Sequence, residues 1–169
     1  MKITLVNQYY VPDMAPTGQV LHDLAKTLTA QGCQVTVICS RGSYNGQACY
    51  PANEVIDGVT VKRIRAFSFG RRSLALKLLD YFSYYFMLFF KLLFASRSDG
   101  VYVLTTPPYL GLLVKIVCTL RRMPRIHWIM DLYPDVMQAH GMLKESSLLY
   151  KILSALTRFE LKGAHAVIG

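Results

Sequence analysis

Asp131 is the residue best placed to do chemistry. It follows an apolar run, residues 126–130, that reads as a buried strand. A carboxylate at a strand's carboxyl end can orient a hydroxyl or act on a proton. Tyr133 and Asp135 follow in the same segment, WIMDLYPD. Asp135 also reads as an acid in the first turn of a short helix, where the dipole favours it. Thr17 and Gly18 stand at the N-terminus of the first helix. Free N–H groups there suit a phosphate or carboxylate, and glycine lets a ligand approach the backbone. Thr17 acting only as an N-cap explains the same pattern equally well. Thr106, in Thr105-Thr106-Pro107-Pro108, sets a hydroxyl where the fourth strand ends and prolines start a helix. A plain helix start explains that segment too.

Other chemistries lack the spacing they need. Asp131, Asp135 and His140 match no strong metal-ligand pattern, so no metal or other cofactor is expected. His22, His127, His140 and His165 show no pairing and read as structural or surface residues. Of these, only His22 and His140 fall near the sheet edge. No Ser/His/Asp, Cys/His or P-loop arrangement is present. The first loop has one glycine rather than G-x-G-x-x-G, which argues against a nicotinamide-dependent oxidoreductase.

The elements that must hold these residues alternate along the chain. Residues 3–6 and 35–39 are short β-branched runs. Between them, about residues 17–31, Val20, Leu21, Leu24, Ala25 and Leu28 share one helical face before Gly32. That is a strand-helix-strand unit and implies a parallel sheet. Residues 41–58 read as a loop, and residues 59–64 as a third, edge-like strand. Further strands are expected at 101–104, 126–130 and 164–168, with helices from 108 to about 122 and from 147 to 162. The expected fold is α/β: an open, doubly wound, mostly parallel sheet with ligands at the carboxyl ends of its strands.

At 169 residues the chain suits one domain. Lys and Arg number 19 against 10 Asp and Glu, a net charge of +9 that favours an anionic partner. Nucleic acid is not expected, because the basic residues near Lys62 lack a recognition module. Cys33, Cys39, Cys49 and Cys118 show no metal spacing and read as small buried hydrophobes in a reducing, cytoplasmic setting. Met1 leads straight into a strand pattern, so no signal peptide is expected.

Residues 74–95, LALKLLDYFSYYFMLFFKLLFA, stand apart. As a helix they would span roughly 33 Å. Lys77, Asp80 and Lys91 argue against a membrane span. With Ser73 and Tyr84 they form one narrow polar stripe. Two readings remain open: a core helix, or a helix with one side on the sheet and the other on lipid. In the second, Arg71, Arg72, Phe82, Tyr85, Phe86 and Phe89 would touch an anionic membrane.

The opening segment, KITLVNQYYVPDMAPTGQVLHDLAKTLTAQGCQVTVICSRGSYNG, resembles that of family 4 retaining glycosyltransferases with the GT-B fold. LTTPPYLGLL and WIMDLYPDVMQAHGML do too, in the same order, and are similar to a bacterial branch that assembles cell-envelope polysaccharides. The resemblance implies the N-terminal, acceptor-side half of two Rossmann-like domains. Its donor would be a nucleotide-sugar and its acceptor a polyprenyl-linked or polysaccharide glycan. The site would lie on the inner face of the cell membrane. It places the Gly18 loop near the donor phosphates, and Asp131 where relatives carry an active-site histidine or acid. Relatives often have Gly-His before the second strand, where this chain has Gly32-Cys33. The family's donor-binding half is expected to be absent from residues 1–169. Retaining transfer is thought to proceed by front-face attack assisted by the donor phosphate, without a classical base. The alternative is a non-catalytic membrane-peripheral binding module on the same fold. Residues 1–169 alone are therefore expected to transfer no sugar, and turnover of a radiolabelled nucleotide-sugar by the isolated chain would overturn this.

Overall fold

The computed structural model describes residues 1–67 and 74–169. Arg71 and Arg72 lie outside the described residues.

The chain folds into β1 (Lys2–Val6), α1 (Pro16–Ala30), β2 (Gln34–Ser40), β3 (Asn53–Ile56), β4 (Val59–Ile64) and α2 (Leu74–Leu93). The second half adds β5 (Gly100–Leu104), α3 (Leu110–Arg121), β6 (Arg125–Trp128), α4 (Asp135–Ala139), α5 (Leu148–Leu161) and β7 (Ala166–Ile168). The strands form one sheet in the order β3-β4-β2-β1-β5-β6-β7. All neighbours are parallel except β3 with β4. The fold is thus the expected doubly wound, mostly parallel, Rossmann-like sheet. From β1 the chain builds outward to β2 and β4, then returns to lay β5 on the other side of β1. The order reverses there, and the carboxyl ends of β1 and β5 bound a crevice where such sheets bind ligands.

Each face of the sheet carries its own apolar core. On one, Leu21 and Ala25 of α1 pack with Ile3, Leu5, Val35, Val37, Val59 and Val61. On the other, Tyr84, Leu88 and Leu92 of α2 and Leu110, Val114 and Val117 of α3 pack with Val6, Ile38, Val101 and Val103. Fully burying one such side chain contributes about 1.5–3 kcal/mol, so the helical stripes dictate which face each helix covers. Tyr84 sits on the stripe read as polar, yet it is fully buried. Its hydroxyl donates to the Asn7 carbonyl at 2.8 Å, which lets the ring enter the core.

The structure corrects several expectations. Residues 41–58 are not all loop, because β3 lies within them. Consequently β4 is not an edge strand: it is bonded to β2 on one side and β3 on the other. The turn joining β3 to β4 is Asp57-Gly58, with both residues at positive φ, 49° and 78°. That is the backbone a tight hairpin demands, and Asp-Gly was its sequence signal. Thr17 is not the cap of α1. Ala15 holds the cap position in extended conformation, Pro16 opens the helix, and Thr17 lies inside the first turn. Helix α3 starts at Leu110 rather than at the prolines, because Tyr109 adopts a left-handed conformation with φ 62°.

Arg63 secures the added strand. It is buried and bonds the Glu54 carboxylate of β3. It also donates to the Val11 carbonyl at 2.6 Å, tying β3 and β4 to the loop after β1.

The cysteines also differ from expectation. Cys39 and Cys118 are buried, but Cys33 is half-buried and Cys49 is exposed on the loop before β3. Burial pushes the Cys39 thiol up to about 12 and that of Cys118 up to about 11. The thiolate is the reactive form. An aromatic disulfide reagent at pH 8 should therefore label Cys49 first, and Cys39 and Cys118 only on unfolding. Equal labelling rates by mass spectrometry would contradict these positions.

Candidate functional site

Three strand ends meet at the carboxyl edge, and hydrogen bonds join them into one rim. At the end of β1, Asn7 is fully buried. Its Nδ2 donates to the Tyr9 carbonyl at 2.8 Å and to Thr17 Oγ1 at 3.2 Å. The Gln8 amide donates to the Thr106 carbonyl at 3.0 Å, linking β1 to the loop after β5. Thr105 Oγ1 then accepts the amides of Met130 at 3.2 Å and Asp131 at 3.1 Å. This hydroxyl carries the rim from β5 to the end of β6. The chain thus runs from Thr17 through Asn7, Gln8, Thr106 and Thr105 to Asp131.

Gly18 is buried beside this rim. A Cβ there would lie 3.1–3.2 Å from backbone atoms of Tyr9 and Tyr10. The chain's own loop is what makes the close approach at Gly18. Asp13 completes the loop. It is buried, and its carboxylate accepts the Ala15 amide at 2.9 Å and the Tyr44 amide at 2.7 Å. Asn7 Oδ1 and Gln8 Oε1 are buried at the same end of β1 and have no hydrogen-bond partner among the described residues. An unpaired buried acceptor costs about 1–3 kcal/mol, so a donor arriving on a ligand would be favoured there.

Asp131 is exposed on the rim with its backbone held by Thr105. It lines a cavity of about 20 Å³ together with Tyr109, Tyr133, His127 and Glu160. That is room for about one water. The Tyr109 and Tyr133 rings lie 6.0 Å apart, and partial burial raises both phenols above their ordinary range. Thr157 of α5 donates to the Tyr133 carbonyl at 2.6 Å. Asp135 plays another part: it is exposed in the first turn of α4 and accepts the Tyr150 hydroxyl at 2.6 Å, bracing α4 against α5.

The histidines are structural or surface residues, as the sequence suggests, but two of them have acidic partners. His22 is paired, bonding the Tyr10 hydroxyl at 2.9 Å and Asp57 at 3.0 Å, so it braces α1 against the β3–β4 turn. His127 is fully buried in β6, with Nε2 3.1 Å from Glu160 Oε1 and outside hydrogen-bond alignment. Gly111 makes that burial feasible, because a Cβ there would fall 1.9 Å from His127 Cε1. His140 is exposed. Among the described residues no group of three His, Cys, Asp or Glu is placed to hold a metal.

Sequence reasoning missed Asn7, Asp13 and the His127–Glu160 pair. Asn7 carried a signal, an amide side chain directly after an apolar strand at the crevice. Glu160 carried none, since it is one charge on a helix and its partner is distant in sequence.

A family model described as a glycosyl transferase 4-like domain matches residues 17–169. The chain belongs to this family. Among solved structures, it resembles sucrose-phosphate synthase from Thermosynechococcus elongatus, with a TM-score of 0.66 and 14% identity. The match covers 99% of this chain and 41% of that one, so the chain spans less than half of its structural relative. At that identity the likeness establishes the fold. No curated protein gives a significant match. For this glycosyltransferase-family domain, the rim is the edge to test.

The tight packing behind the rim makes a direct prediction. Gly111→Ala should destabilise the chain by about 1–3 kcal/mol through overpacking. Urea unfolding measures this, and an unchanged midpoint would mean that α3 and β6 are not this close.

Proposed function

We propose that this domain is the acceptor-side half of a retaining glycosyltransferase that moves a sugar from a nucleotide-sugar to a lipid-linked glycan of the cell envelope. The donor would be held mainly by a second Rossmann-like domain facing the carboxyl edge. The domain would work as a peripheral protein on the cytoplasmic face of the membrane.

One helix carries this reading. The inner side of α2 reaches the rim: Tyr84 bonds the Asn7 carbonyl, and the Tyr85 hydroxyl donates to the Pro108 carbonyl. The outer side exposes Phe82, Phe86, Phe90 and Phe94. These rings form a ladder, with Phe86 and Phe90 centroids 5.0 Å apart. Tyr85 and Phe89 turn inward and pack on the core, so of the four aromatic candidates only Phe82 and Phe86 belong to the outer face. Among the described residues no helix is long and apolar enough to cross a membrane. An apolar face on a basic protein suits a helix lying in the interface instead. A lipid-linked acceptor would then meet the rim from the side that α2 anchors.

At the rim, Asp131 would orient the acceptor hydroxyl. Asn7 Oδ1, Gln8 Oε1 and the Thr106 segment would bind sugar hydroxyls, and Tyr133 would flank them. The Thr17–Gly18 turn would lie nearest the donor phosphates. Asp135, already bonded to Tyr150, would support the segment.

Two measurements test this. The chain should co-sediment with anionic vesicles, and Phe82→Ser with Phe86→Ser should weaken that binding about tenfold, a loss of ~1.4 kcal/mol. Asp131→Asn should weaken binding of a polyprenyl-diphosphate sugar in micelles by a similar factor. Because Asp131 is exposed, stability should change by less than about 0.5 kcal/mol. Unchanged acceptor binding by Asp131→Asn would remove that residue from the site. Absence of vesicle binding would point to a soluble acceptor.

A further inference from the structure

On the α2 side, β1, β2 and β4 are apolar only towards their carboxyl ends. Alternate strand residues share a face. Val6, Ile38 and Ile64 pack under α2, so Lys2 and Thr4 of β1, Gln34 and Thr36 of β2, and Thr60 and Lys62 of β4 share that face. The register sets Thr4 beside Thr36, Thr36 beside Thr60, and Lys2 beside Gln34. Parallel strands covered on both faces read as continuous apolar runs. These strands alternate, because β2 connects to β4 through β3 without a crossover helix to cover this face.

The uncovered half-face forms a cleft of about 560 Å³ beside the C-terminal end of α2. Lys2, Lys62, Lys91 and Arg97 line it, and no carboxylate does. Among the described residues no salt bridge engages any of these four cations. The neighbouring acid, Asp99, accepts the Lys2 backbone amide at 2.7 Å. Thr4, Thr36 and Ser98 line it too. Thr4 and Ser98 bond each other there, which uses one of their two hydroxyl protons and leaves the other for a guest. A concave surface with one sign of charge concentrates counter-ions. Ammonium, guanidinium and hydroxyl donors together match the oxygens of a phosphate.

We propose that this cleft binds a phosphate group, supplied by the headgroup of an anionic lipid. Phe90 and Phe94 also line it, and Phe94 is 79% exposed. The cleft is therefore continuous with the phenylalanine ladder of α2. Rings would enter the acyl boundary while the cations take the headgroup. The cleft lies at the amino-terminal edge of β1, opposite the rim that holds Asn7 and Asp131. It is a second site, and it stands or falls independently of acceptor binding at Asp131.

The test uses two probes on the whole chain. The first is inorganic phosphate, followed by amide shifts in NMR. The second is phosphatidylglycerol vesicles compared with phosphatidylcholine vesicles in co-sedimentation. Lys91→Glu with Arg97→Glu alters two exposed side chains and should preserve the circular dichroism spectrum. Lys144→Glu with Lys151→Glu makes the same charge change on the far segment. The cleft pair should lose about tenfold or more in phosphatidylglycerol binding, and the control pair distinctly less. Phosphate should shift the amides of Thr4, Thr36, Lys62 and Ser98. Shifts by phosphate without pair-specific vesicle binding would keep the phosphate site and replace the lipid by a soluble source. Equal losses in both pairs together with no phosphate shifts would overturn the proposal.

Discussion

The constraint on which the site depends is the satisfaction of backbone polar groups where the sheet reverses its winding. A chain leaving β1 between two parallel neighbours is shut off from water, so its amides and carbonyls must find partners inside the protein. Asn7 and Gln8 solve this within two residues. The Asn7 amide is taken by Ile38, its carbonyl by Tyr84, the Gln8 amide by Thr106, and the Gln8 carbonyl by the Ser40 amide. Those partners come from β2, α2 and the loop after β5. Closing the hydrogen bonds of one dipeptide therefore fixes β1, β2, α2 and the loop after β5 relative to one another at the crevice.

The two small residues nearby serve the same end. Gly18 lets the Tyr9–Tyr10 backbone lie across the start of α1. Gly111 lets His127 and Glu160 sit against α3 behind Asp131. In both places a methyl group would have to displace neighbouring atoms, and displacement would travel directly to the rim. Thr105 plays the complementary role by attraction, gathering the Met130 and Asp131 amides on one oxygen.

Helix α2 links the rim to the surface. Tyr84 and Tyr85 point to backbone carbonyls at the crevice, whereas Phe82, Phe86 and Phe90 stand in solvent. A polar tip on an aromatic body makes Tyr84 usable in the core, whereas phenylalanine has no such tip and gains nothing from a nearby carbonyl. The division of labour along α2 thus follows from which aromatic occupies which face. Basic residues gather at the same helix's C-terminal end, where the sheet offers hydroxyls instead of apolar side chains.

The sequence alone determined the fold class. The β-branched runs, the apolar stripe of α1 and the alternation of elements all express periodicities of 2 and 3.6 along neighbouring residues, which a chain read in order reveals. It also marked the strand ends and so pointed to Thr106 and Asp131. It showed the aromatic richness of α2 without saying which rings face out, since the one polar stripe is narrow and includes Tyr84, which packing buries. Only tertiary packing turned Tyr85 and Phe89 inward and left Phe82 and Phe86 outside. Only strand pairing made β4 internal, because the partner β3 is short and its Asp57-Gly58 turn becomes informative once both flanking runs are recognised as strands. The bond from Gln8 to Thr106, the His127–Glu160 pair and the cationic cleft join segments far apart in the chain. Such contacts are set by how helices and strands stack, and stacking depends on the summed shape of many side chains rather than on any local pattern.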